Sequence, residues 1–228
     1  EAIAERLEAN GMIVIRNYPR TSKKGPIEGK DNSYAFDTWS YDDMVKLLDI
    51  VVESVGNISY LVHTDNVVFR ASIEDITEED FKRTLDYNTK SAFMTTKVFA
   101  DNISKNGGGA IVYLSSLHDE KPTGCAFSYS IGKGAVKMLC KEMALFYGRK
   151  GVRANVVEAD YTENQKQLFD SYISPFNYDA QTKIPLRRLA KPEDFAGITC
   201  FLLSDDASFI NGADIRIDGG HILYYGDR

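Results

Sequence analysis

Gly109-Ala-Ile-Val-Tyr-Leu114 has the length and composition of a buried strand, Phe127–Tyr147 that of a long helix, and Val152-Arg-Ala-Asn-Val-Val157 that of a second strand. Strand, helix, strand is the repeating unit of a parallel sheet, because parallel neighbours need a long crossover between them. The same alternation extends in both directions. Upstream lie helices within Thr77–Asn106, a strand at Ile58–Val62, and a helix whose Met44, Leu47, Leu48, Val51, Val52 and Val55 form one apolar stripe. Before these come a strand at Tyr34–Phe36, a polar loop over Pro19–Ser33, a short apolar strand at Met12–Ile15, and an opening helix in Glu1–Ala9 that Asn10-Gly11 stops. Downstream, Pro192 starts a helix with Phe195, Ile198, Phe201 and Leu202 on its apolar side, and Asp214–Ile217 is a last strand before Gly219-Gly220. Residues 163–190 are polar and aromatic without clean periodicity and read as an insertion that covers a substrate. The expected fold is a doubly wound α/β parallel sheet, one domain over residues 1–228. Ligands in such sheets bind beyond the carboxyl ends of the strands, which directs attention to the residues after Phe36, Val62, Leu114 and Val157.

Composition narrows the function. The 228 residues carry 27 basic and 33 acidic side chains, a formal charge of −6 that argues against nucleic-acid and anionic-membrane partners. Three cysteines, Cys125, Cys140 and Cys200, cannot all pair within the chain and form no C-x-x-C, so a reducing cytoplasm is expected, with neither a disulfide framework nor a metal site. Apolar runs fall well short of a membrane span, and no secretory leader is evident.

One constellation carries chemistry. Ser115 and Ser116 follow the strand ending at Leu114, and Tyr129 and Lys133 stand four residues apart near the start of the next helix, on one face. With 13 tyrosines in the chain, chance alone produces roughly one such pair, so its value lies in its place at a strand end. A phenol titrating near ~10 is a poor acid or base at neutral pH unless a cation favours the phenolate. Lys133 is a candidate for that cation, and Ser116 for a donor to the same substrate oxygen.

These residues resemble the short-chain dehydrogenase/reductase family, a Rossmann-like fold, in the pattern of bacterial 3-oxoacyl acyl-carrier-protein reductases. The resemblance spans nearly the whole chain. It rests on Gly109-Ala-Ile-Val-Tyr-Leu-Ser-Ser116, Tyr129-Ser-Ile-Gly-Lys133, Gly151-Val-Arg-Ala-Asn155, Ile184-Pro-Leu-Arg-Arg-Leu189 with Lys191-Pro-Glu-Asp194, and Asp218-Gly-Gly220. It implies a hydride-transferring oxidoreductase acting on a 3-oxoacyl thioester or a small hydroxylated molecule. Tyr129 would be the general acid/base, Ser116 the substrate-oxygen donor, Lys133 a ribose ligand and modulator of the tyrosine, and Asn88 the holder of a relay water. Asp37 and Thr38 would lie beside the adenine, with His63 and Thr162 also against the cofactor. In place of an acidic residue at the second strand stands Asn17-Tyr18-Pro19-Arg20, so Arg20 is expected to pair a 2′-phosphate, favouring NADP over NAD. A homotetramer is implied, with the His221–Arg228 tail near a neighbour's site.

Three departures stand beside the resemblance. No G-x-G-x-x-G loop occurs, and the family's first strand and its glycine loop are expected upstream of Glu1. His63-Thr64-Asp65-Asn66 replaces a run of small residues, and Ala159-Asp160 replaces Pro-Gly. These motivate an alternative, a non-catalytic member serving as a binding or regulatory module. Each site residue also has a plain structural alternative: Tyr129 as packing, Ser116 and Asn88 as caps, Lys133 and Arg20 as solvated charges, Asp37 as a turn residue. His118-Asp119-Glu120 has metal-binding chemistry, but consecutive positions seldom converge on one ion. Ser116 lacks the G-x-S-x-G elbow of a hydrolase.

Overall fold

The computed structural model describes residues 1–19, 23–166 and 183–223. Four strands form a parallel sheet: β4 (Tyr60–His63), β5 (Gly109–Ser116), β6 (Val152–Ala159) and β7 (Asp214–Ile217), in that spatial order. Side chains alternate along β5. Ile111 and Tyr113 face α4 (Ser91–Lys105) and α5 (Phe127–Gly148), where Ala92, Ala100, Ile103, Val136 and Cys140 complete one core. Ala110 and Val112 face the opposite layer, α1 (Ala2–Ala9) and α6 (Pro192–Leu203), through Leu7, Phe195, Leu202 and Leu203. All four of these β5 residues are fully buried, and each large aliphatic side chain so placed contributes about 1.5–3 kcal/mol. A strand covered on both faces therefore forms the centre of the molecule, as the apolar run predicts.

A smaller sheet holds β1 (Arg16–Asn17), β2 (Gly25–Pro26) and β3 (Ser33–Ala35), with β1 parallel and β2 antiparallel to β3. It packs on α2 (Tyr41–Ser54) through Tyr34, Phe36, Met44, Leu47 and Val51. The Ser40 side chain caps α2 by accepting the Asp43 N–H at 3.3 Å, and Asp42 and Asp43 complement the helix dipole. At α6 the Asp194 carboxylate accepts the Lys191 N–H at 2.7 Å, and Pro192 fills the first helical position.

One expectation is corrected here. Met12–Ile15 is in no ladder; pairing is confined to Arg16–Asn17, because among the described residues the strand beside this segment is β3, and it begins at Ser33. Among the described residues no ladder bonds join β1 to β4, the gap implied by the expectation of a strand upstream of Glu1, and the two edges flank an open cleft. The Pro19–Ser33 loop contains β2. Of the 163–190 insertion, residues 167–182 lie outside the described residues, as does 224–228 of the tail. Among the described residues no helix is long and apolar enough to cross a membrane.

A glycine sets the register at the cleft floor: a side chain at Gly109 would overlap the Ser59 carbonyl, where β5 passes β4. Between α3 (Glu78–Leu85) and α4, residues Asp86–Lys90 form a π-helical turn. Gly132 of α5 packs against it; a Cβ there would meet Thr89 Oγ1 at 3.2 Å and Asn88 Cβ at 3.3 Å.

Candidate active site

The cleft, about 1220 Å³, runs between β1 and the whole length of β4 and reaches the carboxyl ends of β4, β5 and β6. Ser116 ends β5, and Tyr129 and Lys133 project into the cleft from the first turns of α5. Ser116 and Asn66 stand beside the Tyr129 hydroxyl, where both favour its ionised form. Lys133, 2% exposed, donates from Nζ to the carbonyl oxygens of Asp65 (3.0 Å) and Leu114 (3.2 Å), and lies 5.7 Å from the centre of the Tyr129 ring. An ammonium has three protons, so one remains for a ligand.

Burial dominates the acid–base properties of the pair. It pushes the Tyr129 phenol up to about 12, against the lowering effect of the Ser116 and Asn66 hydrogen bonds. It pushes the Lys133 ammonium down to about 8, against the charges of Asp65 and Asp119. The lysine does not lower the tyrosine in this arrangement, because an ammonium titrating near 8 has lost its charge before a phenol near 12 ionises.

Asn88 is fully buried, and its side chain is engaged throughout. Oδ1 accepts the Val67 N–H at 3.0 Å, and Nδ2 donates to Val67 O at 2.8 Å and Thr84 O at 2.9 Å. It clamps the loop that presents Asn66 to Tyr129. His63 Nε2 is 3.1 Å from Ser91 Oγ, whose proton goes to Tyr87 O at 2.7 Å. Nε2 therefore carries the hydrogen of neutral His63, and buried Nδ1 is an acceptor with no hydrogen-bond partner. Thr38 donates to the Asp65 carboxylate, whereas Asp37 pairs with Lys24 at 2.8 Å. Thr162 sits at the mouth, its hydroxyl 3.3 Å from Gln165 Oε1. Arg20 lies outside the described residues.

Several further groups line or back the cleft. Asn66 touches Tyr129 directly. His118 lies edge-on to Tyr129, with ring centres 6.0 Å apart, and its Nε2 is 3.0 Å from the Tyr161 hydroxyl. Behind the site, Asp119, Glu120 and Glu158 bring carboxylate oxygens within 4.8 Å of one another, so adjacent positions do converge here. Their counter-charge is Lys137, whose Nζ is 2.5 Å from Glu158, 2.6 Å from Glu120 and 3.6 Å from Asp119. Arg216 adds contacts to Glu120 and Glu158. Burial holds the Asp119 carboxyl up at about 6, although it accepts the Ser115 hydroxyl at 2.8 Å.

Parallel strands, covering helices on both faces and a strand-end cleft define a Rossmann-like α/β protein. A family model described as enoyl-(acyl carrier protein) reductase matches residues 1–221. Glucose 1-dehydrogenase 2 of Bacillus subtilis is 29% identical over 235 residues, covering 98% of this chain and 90% of that protein. Dehydrogenase/reductase SDR family member 4 of Oryctolagus cuniculus is 32% identical over 229 residues, covering 96% and 87%. The ligand-free aldohexose dehydrogenase of Thermoplasma acidophilum superposes with a TM-score of 0.86 at 26% identity, covering 100% of this chain and 91% of that one. The chain belongs to the short-chain dehydrogenase/reductase family, oxidoreductases of carbonyls and alcohols that use NAD or NADP.

The cleft residues suit such a dinucleotide. The remaining proton of Lys133 and the partnerless acceptor His63 Nδ1 complement a ligand rich in hydroxyls, and Asp65 accepts from Thr38 between them.

Proposed function

We propose that this protein interconverts a carbonyl and a secondary alcohol with NADP(H), Tyr129 moving the proton. The observation that supports it is the convergence of Ser116, Tyr129 and Lys133 in one strand-end cleft. A bound nicotinamide dinucleotide supplies or accepts the hydride at the substrate carbon.

In reduction, Ser116 and Tyr129 bind the carbonyl oxygen. Tyr129, kept protonated at neutral pH by its burial, donates its proton to that oxygen as negative charge develops. In the oxidative direction the phenolate is required, so this direction speeds up as pH rises. Lys133 and Tyr129 hold the ribose of the cofactor, His63 and Thr38 with Asp37 flank its adenosine half, and Thr162 its carboxamide. Asn88 acts through the Val67 backbone, keeping Asn66 on Tyr129; a relay water there would use its main chain, since its side chain is occupied. Arg20, three residues beyond β1 in the sequence, pairs the 2′-phosphate of NADP. Lys24 is committed to Asp37 and Asp43, which leaves that task to its neighbours.

The substrate is a small hydroxylated molecule, a reading favoured over a 3-oxoacyl thioester by the similarity to glucose and aldohexose dehydrogenases. Residues 1–228 act as one domain, with 163–190 covering the substrate, and the chain assembles as a cytoplasmic homotetramer.

The Asp65 carboxylate favours a second reading, a non-catalytic binding module, because a fixed anion in the cleft repels a pyrophosphate. Titrating the protein with NADPH separates the two. An enhanced nicotinamide fluorescence with saturable binding is expected, and no change at millimolar NADPH refutes the enzymatic reading.

A further inference from the structure

We propose that His118 and Tyr161 form a recognition wall beside Tyr129 that accepts a second hydroxyl of the substrate, which makes them specificity-determining residues. This inference rests on the oxidoreductase reading and narrows its substrate to hydroxy ketones and the polyols they yield.

The wall is built from two adjacent strand ends. His118 lies in the single helical turn Leu117–Asp119 that follows β5, and Tyr161 comes directly after β6. Both line the cleft together with Ser116 and Tyr129. The His118 ring stands edge-on to both tyrosines, its centre 6.0 Å from that of Tyr129 and 5.5 Å from that of Tyr161. Its backbone N–H donates to Ser116 Oγ at 3.3 Å, so this one residue contacts the serine and both tyrosines.

The direction of hydrogen bonding along the wall is fixed from the main chain outward. The Lys121 carbonyl, an acceptor only, lies 3.2 Å from His118 Nδ1, so Nδ1 bears the hydrogen of the neutral ring. Nε2 is then an acceptor, and it receives the proton of the Tyr161 hydroxyl at 3.0 Å. Burial holds His118 below its ordinary value, which keeps the ring neutral at pH 7.5. Asp160, whose charge works the other way, is bonded to His221 Nδ1 at 2.8 Å and to the Tyr161 N–H at 2.7 Å. A phenolic oxygen that has given its proton to a histidine meets every further group as an acceptor.

The lining of the cleft thus changes polarity from one tyrosine to the other. Ser116 and Tyr129 offer donors, which suit a carbonyl oxygen. Tyr161 offers an acceptor, which suits a hydroxyl and opposes a carbonyl or a fluorine, acceptor against acceptor. A hydroxy ketone matches both in one orientation, its carbonyl on the donors and its hydroxyl on the wall. A simple ketone gains nothing from Tyr161.

The test uses two series of matched substrates at pH 7.5: reduction by NADPH of acetoin, 2,3-butanedione and 2-butanone, and oxidation by NADP+ of glucose and 2-deoxy-2-fluoroglucose. Chemistry alone favours the diketone over acetoin, because its second carbonyl activates the first. In the series that turns over, the hydroxyl-bearing member is nevertheless expected to exceed its acceptor-only analogue about tenfold or more in kcat/KM, the worth of one hydrogen bond set against an acceptor–acceptor contact. His118→Phe keeps a ring against Tyr129 and removes the group that receives the Tyr161 proton, which is then released toward ligands. KM therefore rises for the hydroxyl-bearing substrate and falls for its analogue, a crossing that a loss of folding does not produce. Tyr161→Phe removes the oxygen and brings the ratio toward unity as well. Equal use of the matched pair in the series that turns over, or a ratio unmoved by both substitutions, overturns the inference and leaves the oxidoreductase standing. Turnover in neither series removes both.

Discussion

Replacing Lys133 by methionine tests whether a charged ammonium is truly buried beneath the candidate catalytic tyrosine. In the folded protein this group titrates near 8, against an ordinary value of 10.5, chiefly through burial. Between those values the unfolded chain holds a proton that the folded chain has released, so unfolding becomes harder as pH rises. Integrating the two titrations from pH 7.5 to pH 9.5 gives about 2 kcal/mol of stability gained from this one residue. Other buried groups act oppositely at alkaline pH: burial raises the Cys140 thiol and the Tyr129 phenol, each to about 12, and disfavours their ionisation. Both are present in the wild type and in Lys133→Met, and they cancel in the difference. Urea unfolding of the two proteins at pH 7.5, 8.5 and 9.5, followed by far-UV circular dichroism, therefore shows wild-type stability rising relative to the variant by about 2 kcal/mol. A difference constant to within about 0.5 kcal/mol across that range refutes the burial of the charge, and with it the argument that its last proton is reserved for a ligand.

Tyr129→Phe removes the proton donor and keeps the ring, so kcat for carbonyl reduction falls about 10²- to 10⁴-fold in steady-state assays with NADPH; an unchanged rate rules Tyr129 out as the acid. Asn66→Gly removes one of the two hydrogen bonds that favour the phenolate, and the rising limb of the pH profile for alcohol oxidation moves upward by about one unit, the equivalent of roughly 1.4 kcal/mol. A profile that does not move means that Asn66 covers the tyrosine without tuning it. Arg20→Ala raises the KM for NADPH about tenfold or more and leaves that for NADH near its starting value; equal effects on both cofactors refute the 2′-phosphate contact.

The parts of the site legible in the sequence are those set by short-range rules. Helical spacing of four places Tyr129 and Lys133 together, and the end of an apolar strand places Ser116 at the mouth of the cleft. The burial of β5 on both faces and the positions of β7 and α6 follow from patterning and from Pro192 in the same way. Illegible were the effects that depend on what lies across the cleft. Met12–Ile15 has strand composition, yet pairing depends on a neighbour, and among the described residues that neighbour, β3, begins at Ser33. The hydrogen bonds of Lys133 are hidden from the sequence for a similar reason: proximity along the chain says nothing about which acceptors an ammonium selects, and here its Nζ donates to the backbone carbonyls of Asp65 and Leu114.

Asn88 shows how the two kinds of information interlock. Its position before a buried helix marks it as polar and inward, but a side chain with no exposed surface must satisfy one acceptor and two donor valences inside the protein. It meets them on Val67 and Thr84, so the loop from Asp65 to Val67 is fastened to the π-helical turn rather than free to follow the cofactor. That fastening explains why larger residues are compatible with the site. Asp65 turns its carbonyl to Lys133 and its carboxylate to Thr38, and Asn66 stands near enough to Tyr129 to favour the phenolate. The substitutions that look like damage in sequence are therefore bound into the same network as the tyrosine and lysine. A chain that had abandoned chemistry would have no reason to hold Asn66 against that hydroxyl, whereas a chain that protonates a carbonyl at neutral pH gains from every donor that eases formation of the phenolate.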